Sequence, residues 1–219
     1  MLQQEQGLVV PEERFRAAKT YEEYVGSIRV NQAKFEDNLA KTSVPEELAA
    51  RYRALVARAN GPKKLLVIGE DWCPDVYRGL PVAKRIADAA GIELRVVERD
   101  QHLDLMEPFK KDGEHLSIPV YVFLTTDNCV ILHWVERPAL ANDQMREAMS
   151  PVFGPSGTRR LTEKLGRAPT EEEKNTARDE AQQRYDQFQQ SSPYWAAWRD
   201  AAVSEVLELL EKALHTPAS

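Results

Sequence analysis

The chain has few of the features that mark a disulfide-stabilised, membrane-spanning or nucleic-acid-binding protein. It contains 2 cysteines among 219 residues, too few for a disulfide framework, and a chain of this length can bury a core without one. No apolar run approaches the ~20 residues that cross a bilayer. The formal net charge of −6 disfavours binding to a phosphate backbone. We therefore expect neither a membrane nor a nucleic acid as a partner.

Signals for export and for metal binding are also lacking. Residues 1–6 have neither the basic flank nor the apolar core of a signal peptide. A protein with so few cysteines usually keeps them as free thiols in a reducing compartment, so we expect this one to be cytoplasmic. The 4 histidines stand at no spacing that suits a metal site, with one another or with cysteine. The sequence predicts no metal and no other cofactor.

The most informative stretch is a predicted strand that leads into a helix at a cysteine. Leu65–Ile68 is short, apolar and closed by Gly69, as in a buried strand. Pro74 suits the first turn of a helix because its missing N–H has no partner there, and the helical pattern ends at Gly91. Cys73 therefore stands at a helix N-terminus, where the dipole and free N–H groups favour thiolate over thiol. We expect its sulfur to be accessible to solvent.

Several features, taken in order, resemble the thioredoxin superfamily. Trp72-Cys73 follows the strand, and Pro81 lies where thioredoxins carry the proline that kinks the helix. Ile118-Pro119 stands where they carry the cis-proline that faces the active-site cysteine. The resemblance implies an α/β fold, with three layers (α/β/α) around a central mixed sheet. The further strands that fit it are Leu94–Glu98, Val120–Leu124 and Val130–Val135.

The sequence also departs from the thioredoxin pattern. Val76 replaces the second redox cysteine, so the motif Cys73-Pro74-Asp75-Val76 has a single thiol. The buried aspartate that serves thioredoxins as an internal base corresponds to Val67. These residues resemble a single-cysteine branch of thioredoxin-like proteins with a Trp-Cys-x-Asp signature.

Helical sequence flanks the predicted core on both sides. Thr20 and Glu23 have the spacing of a capping box, and the apolar stripe behind them predicts one helix to about residue 39. Trp195 and Trp198 lie on an apolar stripe of the last helix and are predicted core residues. We predict three parts: a helical N-terminal extension packed on the core at 1–61, a thioredoxin-like core at 62–137 and a helical C-terminal extension at 138–219. Together they are expected to form one compact unit.

Cys73 and Asp75 are the candidate catalytic residues. Cys73 is interpreted as a nucleophile that forms a mixed disulfide, and the alternative is a buried cysteine that serves as a small apolar side chain. Asp75 is either a proton acceptor or a helix-stabilising charge in the first turn, and as a nearby carboxylate it raises the pKa of the thiol. Cys129 lies beyond disulfide distance of Cys73 because a whole strand separates them.

The resemblance also implies the residues that bind a substrate. Trp72 lies exposed beside the thiol and contacts a partner, and the backbone of Ile118 pairs with an extended segment. The alternative for Pro119 is the start of an edge strand. Neighbouring carboxylates, Glu70 and Asp71 among them, predict an acidic rim that disfavours anionic ligands.

Two main functions fit this pattern. The first is a monothiol thiol–disulfide oxidoreductase that uses Cys73 as its nucleophile. Its partner is a protein or a low-molecular-weight thiol or disulfide, and an external thiol completes the turnover. The alternative is a non-catalytic, thioredoxin-like protein-binding module with a degenerate redox site. A third hypothesis is a regulator whose thiol is oxidised to sulfenate.

Overall fold

A computed structural model describes residues 7–153 and 158–215 of the chain. Among these, residues 7–137 with 199–215 form one compact unit, and residues 138–198 contribute a second. The division predicted at residues 61 and 137 stays a prediction. No helix in the described part of the chain is long and apolar enough to cross a membrane.

The helices before the sheet are α1 (Glu12–Ala17), α2 (Tyr21–Ser27), α3 (Gln32–Ala40) and α4 (Glu46–Val56). The predicted capping box at α2 is confirmed: the Glu23 N–H donates to the Thr20 hydroxyl at 3.2 Å, and the Thr20 N–H donates to the Glu23 carboxylate at 2.8 Å. The prediction of a single helix to about residue 39 is wrong, because the helix is interrupted between α2 and α3. There the Asp71 carboxylate accepts hydrogen bonds from the backbone N–H groups of Arg29 and Val30.

Removing the Thr20 cap tests how strongly this box holds α2. Thr20→Ala leaves the Glu23 N–H without its side-chain acceptor, so the free energy of unfolding should fall by about 1 kcal/mol. Chemical denaturation measures the difference. Thr126→Ala, in an exposed turn, is the control and should leave the unfolding midpoint unchanged. Equal midpoints for both variants would show that the cap contributes nothing.

The first unit is built on four strands: β1 (Lys64–Gly69), β2 (Glu93–Glu98), β3 (Val120–Leu124) and β4 (Val130–Val135). Their order in the sheet is β2–β1–β3–β4. β1 pairs in parallel with β2 and antiparallel with β3, and β3 pairs antiparallel with β4. The register places Val67 between Val96 and Tyr121. The predicted fold class, a mixed central sheet with flanking helices, is confirmed.

One long helix, α5 (Pro74–Ala90), connects the parallel strands β1 and β2. It ends as predicted at Gly91, whose φ of 75° is left-handed and whose N–H donates to the Ala87 carbonyl at 2.9 Å. A short helix, α6 (Leu103–Met106), follows β2 between single 3₁₀ turns at Arg99–Gln101 and Glu107–Phe109. The residue that we predict to be reactive, Cys73, therefore lies in the short connection between β1 and α5.

The remaining helices are α7 (Ala139–Phe153), α8 (Thr158–Leu165), α9 (Glu171–Ser191) and α10 (Pro193–His215). Trp195 and Trp198 are buried as predicted, and the ring centroid of Phe188 lies 5.9 Å from each of theirs. A second capping box, Thr170 with Glu173, opens α9. The second unit therefore has its own aromatic cluster, which supplies the apolar burial that the polar α9 lacks.

Helical segments cover both faces of the sheet in the first unit. On one face the Trp134 indole N–H donates to Glu205 of α10 at 2.9 Å, and α5 packs against Tyr121. His133, the neighbour of Trp134 in β4, points to the opposite face, where its ring centroid lies 5.4 Å from that of Phe109. The alternation along β4 thus produces the layered arrangement that the fold requires.

Candidate functional site

Cys73 lies where β1 gives way to α5, as predicted. It is the N-cap residue of α5, with φ −83° and ψ 124°, and Pro74 occupies the first turn. The N–H groups of Val76 and Tyr77 donate to the Cys73 carbonyl at 3.0 and 3.1 Å. The thiol is therefore held at the positive end of a helix of 17 residues.

The prediction that the Cys73 sulfur is accessible to solvent is wrong. The residue is only 8% exposed, and its thiol donates to the carbonyl of Ile118, with Sγ and O 3.7 Å apart. Burial raises the pKa of the thiol above its ordinary value. The backbone N–H groups of Val76 and Asp75 and the charge of Arg137 lower this pKa, and the Asp75 charge raises it. The resting cysteine is thus a neutral thiol, because desolvation outweighs the helix N-terminus.

The pH dependence of alkylation tests this assignment. Because the Cys73 pKa is raised, thiolate forms only at higher pH than in an ordinary thiol, and the rate should rise about tenfold per pH unit towards that point. Cys73 is followed in a Cys129→Ala protein, so that the exposed second thiol does not contribute. We expect the Cys73 midpoint to lie above that of a small free thiol alkylated under the same conditions. A lower midpoint for Cys73 would show that the helix N-terminus dominates after all.

The loop before β3 forms the wall that faces the thiol. The Ile118–Pro119 peptide bond is cis, and Ile118 is buried. The Pro119 carbonyl accepts a hydrogen bond from the Glu136 N–H at 2.7 Å, which ties the loop to the chain just after β4. The Ile118 carbonyl in this loop is the acceptor of the Cys73 thiol.

Asp75 is held by two arginines. Its carboxylate lies 2.6 Å from Nη2 of Arg78 and 2.8 Å from Nη2 of Arg137, and the three side chains are mostly buried. Each of its two carboxylate oxygens has a guanidinium partner of its own. The geometry thus favours an electrostatic role for Asp75. Its assignment as a catalytic residue stays a prediction.

Trp72 lies beside the thiol with 51% of its surface exposed. The guanidinium of Arg99 lies 5.3 Å from the centroid of its ring, in a cation–π contact. The carboxylates of the predicted acidic rim bind backbone: Glu70 accepts from the Asp100 N–H at 2.8 Å, and Asp71 accepts from the N–H groups before α3. Burial raises the pKa of Glu70. The surroundings of the thiol therefore combine acidic and basic groups, which weakens the predicted selection against anions.

Comparison with known protein families assigns the chain to one of them. A family model described as thioredoxin matches residues 18–150, more than half of the chain. The chain belongs to the thioredoxin family. No curated protein matches the sequence.

Two solved structures resemble the fold of this thioredoxin-family chain. One is a protein of unknown function from Pseudomonas aeruginosa, with a TM-score of 0.60 and 19% identity over 94% of this chain and 99% of that one. The other is an HIV epitope-scaffold, with a TM-score of 0.57 and 20% identity over 91% of this chain and 96% of that one. At these identities the likeness concerns the fold alone.

Cys129, the second cysteine of this thioredoxin-family protein, lies away from the site. It is exposed in the turn before β4 and forms an isolated bridge with Val9, whereas Cys73 contacts Ile118 just before the opposite end of β3. The length of β3 thus separates the two thiols, as predicted. In the described ranges, no cluster of three or more His, Cys, Asp or Glu side chains could hold a metal ion.

The sequence analysis missed three residues that surround the thioredoxin-like motif. Arg78 and Arg137 bind Asp75, and Tyr121 of β3 is buried, with a pKa that burial and, less strongly, the Cys73 thiolate raise. The spacing of Asp75 and Arg78, three residues apart on a helix, is a local signal for the first contact. Arg137 follows another strand, so only the tertiary fold brings it to Asp75.

Proposed function

We propose that the protein is a monothiol thiol–disulfide oxidoreductase that uses Cys73 as its nucleophile. The observation that carries the proposal is the contact between the Cys73 thiol and the Ile118 carbonyl, next to cis-Pro119 and the exposed Trp72. A backbone carbonyl beside a thiol is where an extended substrate segment can pair while its disulfide meets the sulfur. The single-cysteine Trp-Cys-x-Asp motif makes this a one-thiol version of the family chemistry.

The resting thiol becomes reactive when a substrate segment takes the Ile118 carbonyl. A backbone N–H of the substrate then replaces the thiol as donor, so the neutral form of Cys73 loses its acceptor. Because a thiol of higher pKa is intrinsically more nucleophilic once ionised, a raised pKa slows the free protein but does not prevent exchange. The substrate class that fits is a disulfide or mixed disulfide in an extended protein segment, or a low-molecular-weight disulfide.

The chemistry proceeds in two exchanges. The Cys73 thiolate attacks one sulfur of the substrate disulfide, a Cys73–S bond forms, the substrate S–S bond breaks, and the departing thiolate takes up a proton. An external low-molecular-weight thiol, deprotonated, then attacks the mixed disulfide and releases Cys73. That thiol leaves as a mixed disulfide with the substrate half. A reducing compartment such as the cytoplasm supplies this second thiol.

Turnover of a small peptide mixed disulfide in the presence of an external thiol tests the proposal. The Cys129→Ala protein should accelerate the exchange above the uncatalysed rate. The Cys73→Ser variant of the same protein should return it to that rate. If the two proteins behave alike, the proposed function is wrong.

The alternative function is a protein-binding module with a degenerate redox site. The observation in its favour is the burial of Cys73, which keeps the thiol neutral at rest. Under this alternative Trp72 and the Ile118 backbone hold a partner, and Cys73→Ser leaves the affinity for that partner unchanged. Peptide binding measured without turnover in both proteins would favour the module.

A further inference from the structure

Arg137 is brought to Asp75, two residues after Cys73, by the turn that ends β4. Glu136 has a left-handed φ of 63°, and its N–H donates to the Pro119 carbonyl at 2.7 Å. The chain reverses there, and the Arg137 N–H donates to the Val135 carbonyl at 3.0 Å. This turn directs the Arg137 side chain towards Asp75 at the start of α5.

The carboxylate neighbours of Arg137 do not satisfy all the hydrogen-bond donors of its guanidinium. Nη2 lies 2.8 Å from Asp75 and 3.8 Å from Glu136, and Glu136 itself is bound more closely by Lys111, at 2.6 Å. The Nε atom is buried and has no hydrogen-bond acceptor among the described residues. A buried N–H donor without an acceptor is costly, so a negative charge that forms nearby would be stabilised by it.

We propose that Arg137 is the electrostatic partner of the Cys73 thiolate and that Asp75 limits how much of the arginine's charge acts on the sulfur. The inference rests on the proposed function of Cys73 as a nucleophile, and it names the residue that sets the reactivity of that nucleophile. Arg137 therefore acts directly on the sulfur: its positive charge lowers the free energy of the thiolate before any substrate reacts.

The other groups that face Cys73 leave these two charges in control. Burial, and to a smaller extent the charge of the Cys73 thiolate, raises the pKa of Tyr24 in α2 and of Tyr121 in β3, so both hydroxyls stay uncharged. Arg78 is bound to Asp75. Arg137 lowers the thiol pKa and Asp75 raises it, which agrees with the roles given to them.

The test is the pH profile of Cys73 alkylation in the Cys129→Ala protein, without any disulfide substrate. Arg137→Met should move the midpoint up by about one pH unit, which is about tenfold less thiolate at neutral pH. Arg137→Lys should restore most of the shift because it keeps the charge. Arg95→Met is the matched control: Arg95 is also mostly buried and paired with a carboxylate, Glu93, but it lies on β2, and its profile should not move.

A second pair of variants separates a direct effect from one that passes through Asp75. Asp75→Asn should move the midpoint down, and Arg137→Met should still move it up in the Asp75→Asn protein. Superimposed profiles for Arg137→Met and its parent overturn the inference, and so does a shift that vanishes in the Asp75→Asn background. A Cys73 that resists alkylation at every pH overturns it too. If the midpoints shift as expected but the protein does not turn over the peptide mixed disulfide, only the proposed function is overturned.

Discussion

Installing a second cysteine, Val76→Cys, should change the fate of the mixed disulfide on Cys73. In the Cys129→Ala protein the adduct should accumulate and persist until an external thiol is added, because no neighbouring sulfur can displace the substrate. Residues three apart on a helix are neighbours, and a disulfide needs Cα atoms within about 7 Å. The thiol introduced by Val76→Cys can therefore attack Cys73, form an intramolecular disulfide and release the substrate thiol. We expect release at least ~100-fold faster than from the parent.

Val76→Ala is the matched control for this experiment. Val76 is fully buried, and both substitutions remove side-chain volume, but only cysteine adds a thiol. Rapid quenched-flow mixing with acid, followed by intact-mass analysis, gives the lifetime of the adduct. Rapid release from the parent or from Val76→Ala, without external thiol, would mean that another group resolves the disulfide and that the one-thiol account is wrong.

Gly79→Ala should destabilise the first unit, although alanine is the better helix former. Gly79 lies inside α5, and a Cβ there would overlap the hydroxyl of Tyr121 and come within 3.2 Å of its Cζ. Tyr121 cannot move away easily, because it is buried and its ring centroid lies 4.9 Å from that of Trp134. We expect a net loss of about 1–3 kcal/mol in the free energy of unfolding. Chemical denaturation measures it.

A double-mutant cycle with Tyr121→Phe identifies the clash as the cause. The Tyr121 hydroxyl is buried and has no hydrogen-bond partner among the described residues, so Tyr121→Phe alone should be neutral or stabilising. Most of the cost of Gly79→Ala should disappear in that background. Gly26→Ala is the control, because a Cβ at this helical position meets nothing within 4 Å, and it should stabilise by up to about 1 kcal/mol. Additive effects of Gly79→Ala and Tyr121→Phe would exclude the proposed clash.

Local patterns in the sequence are sufficient to predict most of the elements. The run Leu65–Ile68, the glycine at 91 and the spacing of Thr20 and Glu23 each reflect interactions within a few residues, and the structure has them where expected. The break between α2 and α3 could not be predicted in this way. It depends on Asp71, which lies far along the chain and competes for the backbone N–H groups there.

The candidate site divides in the same manner. The position of Cys73 at the start of α5 follows from the strand before it and Pro74 after it, so the sequence is enough. The thiol contacts Ile118, and the charge of Arg137 lowers its pKa. Both residues are distant in sequence, so only the tertiary structure places them near Cys73. Reading the helix N-terminus alone therefore predicts the wrong direction for the thiol pKa, because desolvation is not a local property.

The most direct test of the one-thiol account is to trap the covalent intermediate. The Cys129→Ala protein is incubated with an excess of a small peptide disulfide, and intact mass and peptide mapping locate any adduct. The account predicts one adduct per chain, on Cys73, which an external thiol removes and which Cys73→Ser does not form. If folded protein acquires no adduct at any pH while the unfolded chain does, Cys73 takes no part in disulfide exchange.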